Sequence, residues 1–437
     1  MSSKKKTLTI APVSRVEGHG AITINLDDKG NVANAHFSVM DVRGYEKFMQ
    51  NRPVEEANRI ATRMCGICPV SHHLASSKAA DALYGVDPPH TAKLLRELMH
   101  CGQMLHSHVL HWWFLAAPDL MIPNGTPETR HVVTLLKQHP DLVKKVIRAR
   151  QVGQNIIQVT GGRAIHPVTS QAGGISKPLS EEERTDLLKQ VDEAHEIANE
   201  FIPIVRPIMG QVELLDELPT GYLGLVKPNG NLEIYDGPLR LVDSDGKRLE
   251  QFPVKDYLKY IGEHVEDYSY LKFPFYLKKG WPKGIYRVGP LARINVADSI
   301  HTPEAREELE LLRAQFGRTP DHTFLYHWAR MIEILYSIER AKEILNDSEI
   351  TNDNIMTTFQ IKGGRGVGVL EAPRGTLIHD YEANSNGILT TVNLIVSTVG
   401  NNPAMDLGVK TMAQRHIKNG VINQSIKNSI EMVLRAM

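Results

Sequence analysis

Two cysteines three positions apart are the sharpest chemical feature of the chain. In Arg63-Met-Cys65-Gly-Ile-Cys68-Pro-Val-Ser-His72, a tight turn permitted by Gly66 can aim both thiols at one centre. The spacing alone fits a metal site, a redox dithiol, half of a zinc site or two buried thiols. Zinc is hard to complete, because Cys101 is the only other thiol, although histidines could serve. A thioredoxin-type motif wants a βαβ setting, whereas this one follows a helical pattern.

Further chemistry-bearing segments are scattered along the chain. They are Arg15-Val-Glu17-Gly18-His19, Val42-Arg43-Gly44-Tyr45-Glu46, Ala116-Ala-Pro118-Asp119, Gly161-Gly-Arg163-Ala-Ile-His166-Pro167 and Glu371-Ala-Pro373-Arg374-Gly375-Thr-Leu-Ile-His379. Taken singly, each reads as surface charge or as a satisfied polar group of the core. Glu17 fits a strand-end acid, Asp119 a cap after Pro118, and Arg374 a structural partner for Glu371. His100, His106, His108 and His111 read as polar groups lining a core or interface, since His106 points away from the face that His108 and His111 share. Cys101 reads as a packed helix thiol.

The elements that must position these residues are mostly helical. Leu94, Leu95, Leu98, Met104, Leu105, Val109 and Trp112 recur at a period near 3.6, which predicts a long helix over 91–117 ending at Pro118. A helix starts near Pro53, and others are expected over 139–160, 181–202, 303–316, 321–346 and 408–436. The first forty residues read as strands at Thr7 to Ala11, Ala21 to Asn25 and Ala35 to Val39, with an Asp-Asp-Lys-Gly turn at 27–30. Pro-Asn-Gly-Asn at 228–231 and Ser-Asp-Gly-Lys at 244–247 are hairpin turn signals, with Leu232-Glu-Ile-Tyr and Leu239-Arg-Leu-Val as strands beside them. The expected fold is α+β, mainly helical. It is one body over 1–437, divided into an N-terminal β region (1–50), a helical part with the cysteines (51–212), a β-rich insertion (213–300) and a second helical part (301–437).

Composition narrows the function classes. The 437 residues carry 50 Lys plus Arg against 50 Asp plus Glu, so the chain offers no general field for nucleic acid or an anionic membrane. No stretch approaches the ~18 apolar residues of a membrane span. The basic N-terminus lacks the apolar core of a secretory signal. Three cysteines do not make a disulfide framework. A cytoplasmic location is the default expectation, with the proviso that a partner subunit could carry an export signal.

Taken in order, these motifs resemble the large subunit of nickel–iron hydrogenases, from about residue 8 to the last residue. They are most similar to the viologen-reducing, deazaflavin-non-reducing type of methanogens, in which Gly289 to Arg293 (GPLAR) and Asn393 to Val396 (NLIV) also take similar forms. The resemblance implies a nickel–iron centre with carbon monoxide and cyanide on iron, deep in a helical body with β-rich parts. It makes Cys65 a terminal nickel ligand and Cys68 a bridge between the metals. His72 would bond a cysteine sulfur. Arg374 would reach the open metal position and favour heterolytic splitting of dihydrogen, with Pro373 and Asp119 holding it. Glu17 would take the proton from a metal-bound thiolate. Glu46 would bind a magnesium-type ion, helped by the backbone carbonyl near Leu394.

The family also uses a C-terminal Asp-Pro-Cys-x-x-Cys-x-x-His segment, which this sequence lacks. Three explanations are expected to compete: a separate small peptide carrying cysteine or selenocysteine, a degenerate paralogue with a scaffolding role, and a record cut at a selenocysteine codon. The retained Cys65 and Cys68 favour the first. The resemblance further implies a small iron–sulfur subunit, an iron–sulfur adaptor (delta) subunit and heterodisulfide reductase as partners, with electrons passing toward heterodisulfide and ferredoxin in methanogenesis.

Overall fold

A computed structural model describes residues 6–123, 125–210 and 217–437. The basic tip of the N-terminus and the expected boundary near 212–213 lie outside them. The chain opens with an antiparallel sheet of β1 (Thr7–Ile10), β2 (Gly20–Leu26) and β3 (Val32–Val39). β2 alternates buried and half-buried residues along its length, the period of a strand with one face on a core. Short helices α1 (Tyr45–Met49) and α2 (Val54–Ala61) then lead to the cysteine turn.

After that turn come α3 (Pro69–Tyr84) and α4 (His90–Leu110). The expected single helix over 91–117 instead widens to a π-helical stretch at His111–Ala116 and resumes as α5 (Ala117–Met121). Pro118 therefore does not end it: it falls in the first turn of α5, where its missing N–H costs nothing. α6 (Val132–Gln138), α7 (Pro140–Gly161) and the small ladder of β4 (Ser170–Gln171) with β5 (Gly174–Ile175) follow. α8 (Glu181–Met209) opens on a Ser180/Glu183 capping box and runs through Pro203 and Pro207, beyond the expected stop at 202.

The next stretch is β-rich. β6 (Gly221–Leu225), β7 (Leu239–Val242), β8 (Arg248–Phe252) and β11 (Tyr286–Arg287) form one sheet, and β9 (Ile261–His264) with β10 (Phe273–Tyr276) another. Residues 232–235 are not a strand. Oε1 of Glu233 accepts the backbone N–H groups of Ile234 and Tyr235 at 2.8 and 2.7 Å, which curls the chain there. The remainder is α9 (Pro290–Val296), α10 (Pro303–Phe316), α11 (Tyr326–Leu345), an antiparallel sheet β12 (Gly364–Ala372), β13 (Gly375–Ala383) and β14 (Leu389–Ile395), then α12 (Asn402–His416) and α13 (Gln424–Ala436). The expected helix over 408–436 is broken by Asn419 and Gly420, both at positive φ.

The core lies where α4 is enclosed by α7 and α11, with α8 behind α11. α4 and α7 cross at Gly102 and Gly153. A Cβ on Gly102 would stand 2.8 Å from the Gly153 carbonyl oxygen, so the contact needs bare backbone. α3 lies across β12 and β13, which sets the cysteine turn at its start beside the β12–β13 hairpin.

Candidate metal centre

The cysteine turn forms because Thr62–Met64 tightens into a 3-10 turn, Cys65 is extended and Cys68 caps α3. The Cys68 N–H donates to Cys65 Sγ at 2.9 Å. The two Cα atoms are 5.5 Å apart and the sulfurs are paired, so both reach one point. Two converging sulfurs on a rigid turn are a fitting donor pair for a soft metal. The turn is pinned from outside by Tyr45, whose hydroxyl donates to the Arg63 carbonyl at 3.0 Å, and by His166 Nδ1, 2.9 Å from the Thr62 carbonyl.

Glu17 reaches this pair from the loop between β1 and β2. Its Oε1 is 3.6 Å from Cys65 Sγ. Loss of water on its packed side raises the carboxyl pKa, offset by Arg374 and by the Ile67 N–H. The loop is shaped by Arg15 at φ 57, an unusual conformation for a residue with a Cβ. Arg15 is held there by the Leu115 carbonyl at 2.6 Å and by Asp119.

Arg374 occupies the tip of the β12–β13 hairpin. Ala372 pairs with Gly375, leaving Pro373-Arg374 as a two-residue turn. Its Nη1 donates to Ser107 Oγ on α4 at 2.7 Å. Burial lowers its pKa to about 10, with Glu17 opposing, so it stays charged at neutral pH. The turn is gripped by Arg293, which donates to the Ala372 carbonyl at 2.9 Å and the Pro373 carbonyl at 3.3 Å while fully paired with Glu333 and Glu371. Gly289, at φ 92, lets the backbone pass: a Cβ there would come 2.7 Å from the Arg374 carbonyl oxygen.

His72 is buried one turn into α3. Its Nδ1 is 3.1 Å from His379 Nε2, His379 Nδ1 is 2.7 Å from the Tyr381 hydroxyl, and Tyr381 donates to Ser76 at 2.9 Å. Burial pushes His72 down to about 4, so it is neutral. The contact found is thus with His379.

Two expected placements change. Asp119, expected to brace Arg374, sends its oxygens to Arg15 and, at 2.8 Å, to Arg435 of α13, because the β1–β2 loop and α13 both close over α5. Glu46 meets Leu394 through the backbone N–H at 2.8 Å, not through a carbonyl, and Arg43 donates to both Glu46 oxygens at 2.7 and 3.0 Å. A guanidinium thus fills the place a cation would take beside Glu46. Among the described residues no group of three or more His, Cys, Asp or Glu side chains could hold a metal ion.

His100, His106 and His108 of α4 face inward. His108 Nε2 is 2.8 Å from Glu333, and His100 Nε2 is 2.9 Å from the Glu371 carbonyl. Cys101 is buried on the same helix. Sequence reasoning missed Ser107, Tyr381, Glu333 and Arg435 as parts of this surround. Ser107 and Tyr381 carry no signal, whereas Glu333 lies in an otherwise apolar helical run, where an acid implies a buried partner.

Comparison with known proteins identifies the family. The profile of the nickel-dependent hydrogenase family matches residues 43–124 and 235–433, and a HoxL-like profile matches 7–42. The chain belongs to the nickel-dependent hydrogenase large-subunit family. It is 45% identical over 412 residues to the vhu-type F420-non-reducing hydrogenase subunit of Methanocaldococcus jannaschii, covering 93% of this chain and 98% of that one. It is 44% identical over 439 residues to the corresponding F420-non-reducing hydrogenase subunit of Methanothermobacter thermautotrophicus, covering 98% and 92%. The fold matches an NAD+-reducing [NiFe]-hydrogenase in its H2-reduced state with a TM-score of 0.94, at 39% identity over 99% of this chain and 97% of that one. A Ni-Fe-Se hydrogenase of D. vulgaris Hildenborough shares the fold at a TM-score of 0.79 and 21% identity, covering 99% of this chain and 98% of that one.

Proposed function

We propose that this chain splits dihydrogen heterolytically as the large subunit of a viologen-reducing hydrogenase of the methanogen type. The observation that carries this is the convergence of Cys65, Cys68 and Glu17 on one turn, with Arg374 on the neighbouring hairpin tip. Cys65 and Cys68 would hold a nickel–iron group with carbon monoxide and cyanide on its iron. When bound, that group supplies the Lewis-acidic, redox-active position at which dihydrogen is polarised.

The chain's own residues then handle charge and protons. Arg374 holds a fixed positive charge at the site, positioned by Ser107, Pro373 and the Arg293 grip, so little reorganisation is needed as charge separates. Glu17 stands next to Cys65 and accepts the proton that leaves the thiolate side. It is open to solvent on its other face in this chain, which suits onward release. Neutral His72, with Nδ1 engaged by His379, keeps Nε2 for a cysteine sulfur. Asp119 acts on the site through Arg15, which shapes the Glu17 loop.

This chain contributes two of the family's four thiolate positions, so the other ligands come from a segment outside these 437 residues. In the form the resemblance implies, that segment is a small peptide with cysteine or selenocysteine. Electrons leave through a small iron–sulfur subunit, then an adaptor subunit toward heterodisulfide reductase. Val42 (77% exposed), Phe48 (55%) and Ile165 (51%) support such a partner. They lie on the two segments that pin the cysteine turn and offer apolar surface beside it. No helix among the described residues is long and apolar enough to cross a membrane, and we place the complex in the cytoplasm.

The test is dihydrogen-dependent reduction of benzyl viologen by the purified complex, combined with denaturing intact-mass analysis of its chains. Turnover that falls at least about 100-fold in Glu17→Gln with metal retained is expected. A complex without dihydrogen activity and without any segment bearing two chalcogen ligands would leave a scaffold instead.

A further inference from the structure

Gln103 has no role in the site above, yet it is taken fully out of water on α4, at 0% exposure. Its Nε2 donates to the Ile67 carbonyl at 2.9 Å, reaching across to the cysteine turn. Its Oε1 is buried and makes no hydrogen bond. The opposite amide orientation would set Oε1 against the carbonyl oxygen, with two acceptors face to face. The side chain therefore commits its donor end to one peptide group and leaves its acceptor idle, an arrangement that buries an unpaired polar atom.

That peptide group is the one joining Ile67 to Cys68. The bond is trans, so its carbonyl and its N–H point to opposite sides. Gln103 holds the carbonyl end. The N–H end belongs to Cys68 and donates to Cys65 Sγ at 2.9 Å. Because the group is planar, fixing one end aims the other.

Little else holds this plane. Tyr45 and His166 pin the chain before Cys65, at Arg63 and Thr62. The helix α3 takes over only from Pro69. Between them the turn is loosely covered: a Cβ on Gly66 would meet nothing within 4 Å, and Cys65, Ile67 and Cys68 are each half-buried. His106, one turn further along α4, lies within hydrogen-bonding reach of the same carbonyl. The hold on this peptide group therefore comes from α4.

We propose that Gln103 is a positioning residue for Cys65: by holding the Ile67 carbonyl it keeps the Cys68 N–H on the Cys65 sulfur. A hydrogen bond to a thiolate draws charge from it and weakens its donation to a metal, which raises the potential of that metal. This consequence rests on the reading of Cys65 as a nickel ligand. The hold of Gln103 on the peptide group does not, and it is read out without nickel.

With three cysteines in the sequence, a chain labelled with 15N-cysteine shows three amide signals. In the metal-free chain kept reduced with dithiothreitol, the Cys68 amide should exchange slowly with deuterium although its turn is half-exposed. Gln103→Met, which keeps length and volume but cannot donate, should speed that exchange about 10-fold. Gln103→Leu should do the same. Cys101, two residues before Gln103 on α4, should exchange as in the wild type. In the nickel-loaded complex, Gln103→Met should move the midpoint potential of the nickel electron-paramagnetic-resonance signal downward at unchanged nickel content. Fast Cys68 exchange in the wild type, or unchanged exchange in both variants, would overturn the proposal. Cys101 exchanging faster together with Cys68 would show that Gln103 only packs α4, and would overturn it too. An unchanged nickel potential beside a faster Cys68 amide would overturn the effect on the metal. The function proposed above fails separately, on a complex that holds no nickel, and the amide readout stands or falls without that result.

Discussion

Arg374 combines a fixed charge with a planar fork, and the two can be separated by substitution. Arg374→Lys keeps the charge on a flexible stem but loses the geometry that Ser107 engages at 2.7 Å. We expect nickel and iron to stay bound while dihydrogen turnover falls about 10- to 100-fold, measured as viologen reduction at saturating dihydrogen. Unchanged turnover would remove Arg374 from the reaction. At this scale the sequence is most legible where side-chain type is tied to a short motif: the cysteine pair, Glu17 and the Pro373-Arg374 tip. It is least legible where the partner is distant in sequence. Nothing local announces that Asp119 pairs with Arg435, 316 positions away.

The hairpin tip is only as precise as the elements that grip it, and one close approach is the start of α9 against the Arg374 backbone. Gly289→Ala places a Cβ 2.7 Å from the Arg374 carbonyl oxygen at a residue with φ 92. It should destabilise the chain by about 1–3 kcal/mol and lower turnover together, read by denaturant unfolding and viologen reduction. Full stability in this variant would mean the approach is not fixed. At the far end, α13 begins on Asn423, whose side chain accepts the Ile426 N–H at 2.9 Å. Asn423→Ala should cost about 1 kcal/mol in the same unfolding assay, and a change below a few tenths would show that tertiary contacts alone hold α13. Helices are legible from their periods, with α10 starting at the expected Pro303. Their ends are not. Proline reads as a stop at 118, yet Pro118 falls in a first turn after a π-helical stretch, and α8, expected over 181–202, runs on through Pro203 and Pro207 to Met209.

Across the whole molecule, neutral buried histidines couple stability to pH. Burial lowers His73 and His108 to about 4 and His100 to about 3, against an ordinary value near 6.5. The unfolded chain therefore binds more protons than the folded one between those values. Stability is fully present above about pH 6.5 and is lost as pH falls toward 4, each histidine contributing about 1.4 kcal/mol per pH unit in that window. Tm should drop steeply between pH 6.5 and 4.5, and a flat profile there would mean these histidines are not held neutral. The mainly helical α+β class is legible because long periodic runs dominate the chain. The enclosure of α4 is not, since a helix with three inward histidines reads as amphipathic until α7 and α11 cover it.

The account as a whole stands on Cys65 and Cys68 as metal ligands. Elemental analysis of the purified complex, wild type beside Cys65→Ser, tests that most directly. Nickel together with iron in the wild type, and loss of nickel in Cys65→Ser with the subunits still assembled, is the predicted result. Nickel retained by Cys65→Ser, or zinc in place of nickel in the wild type, would contradict it.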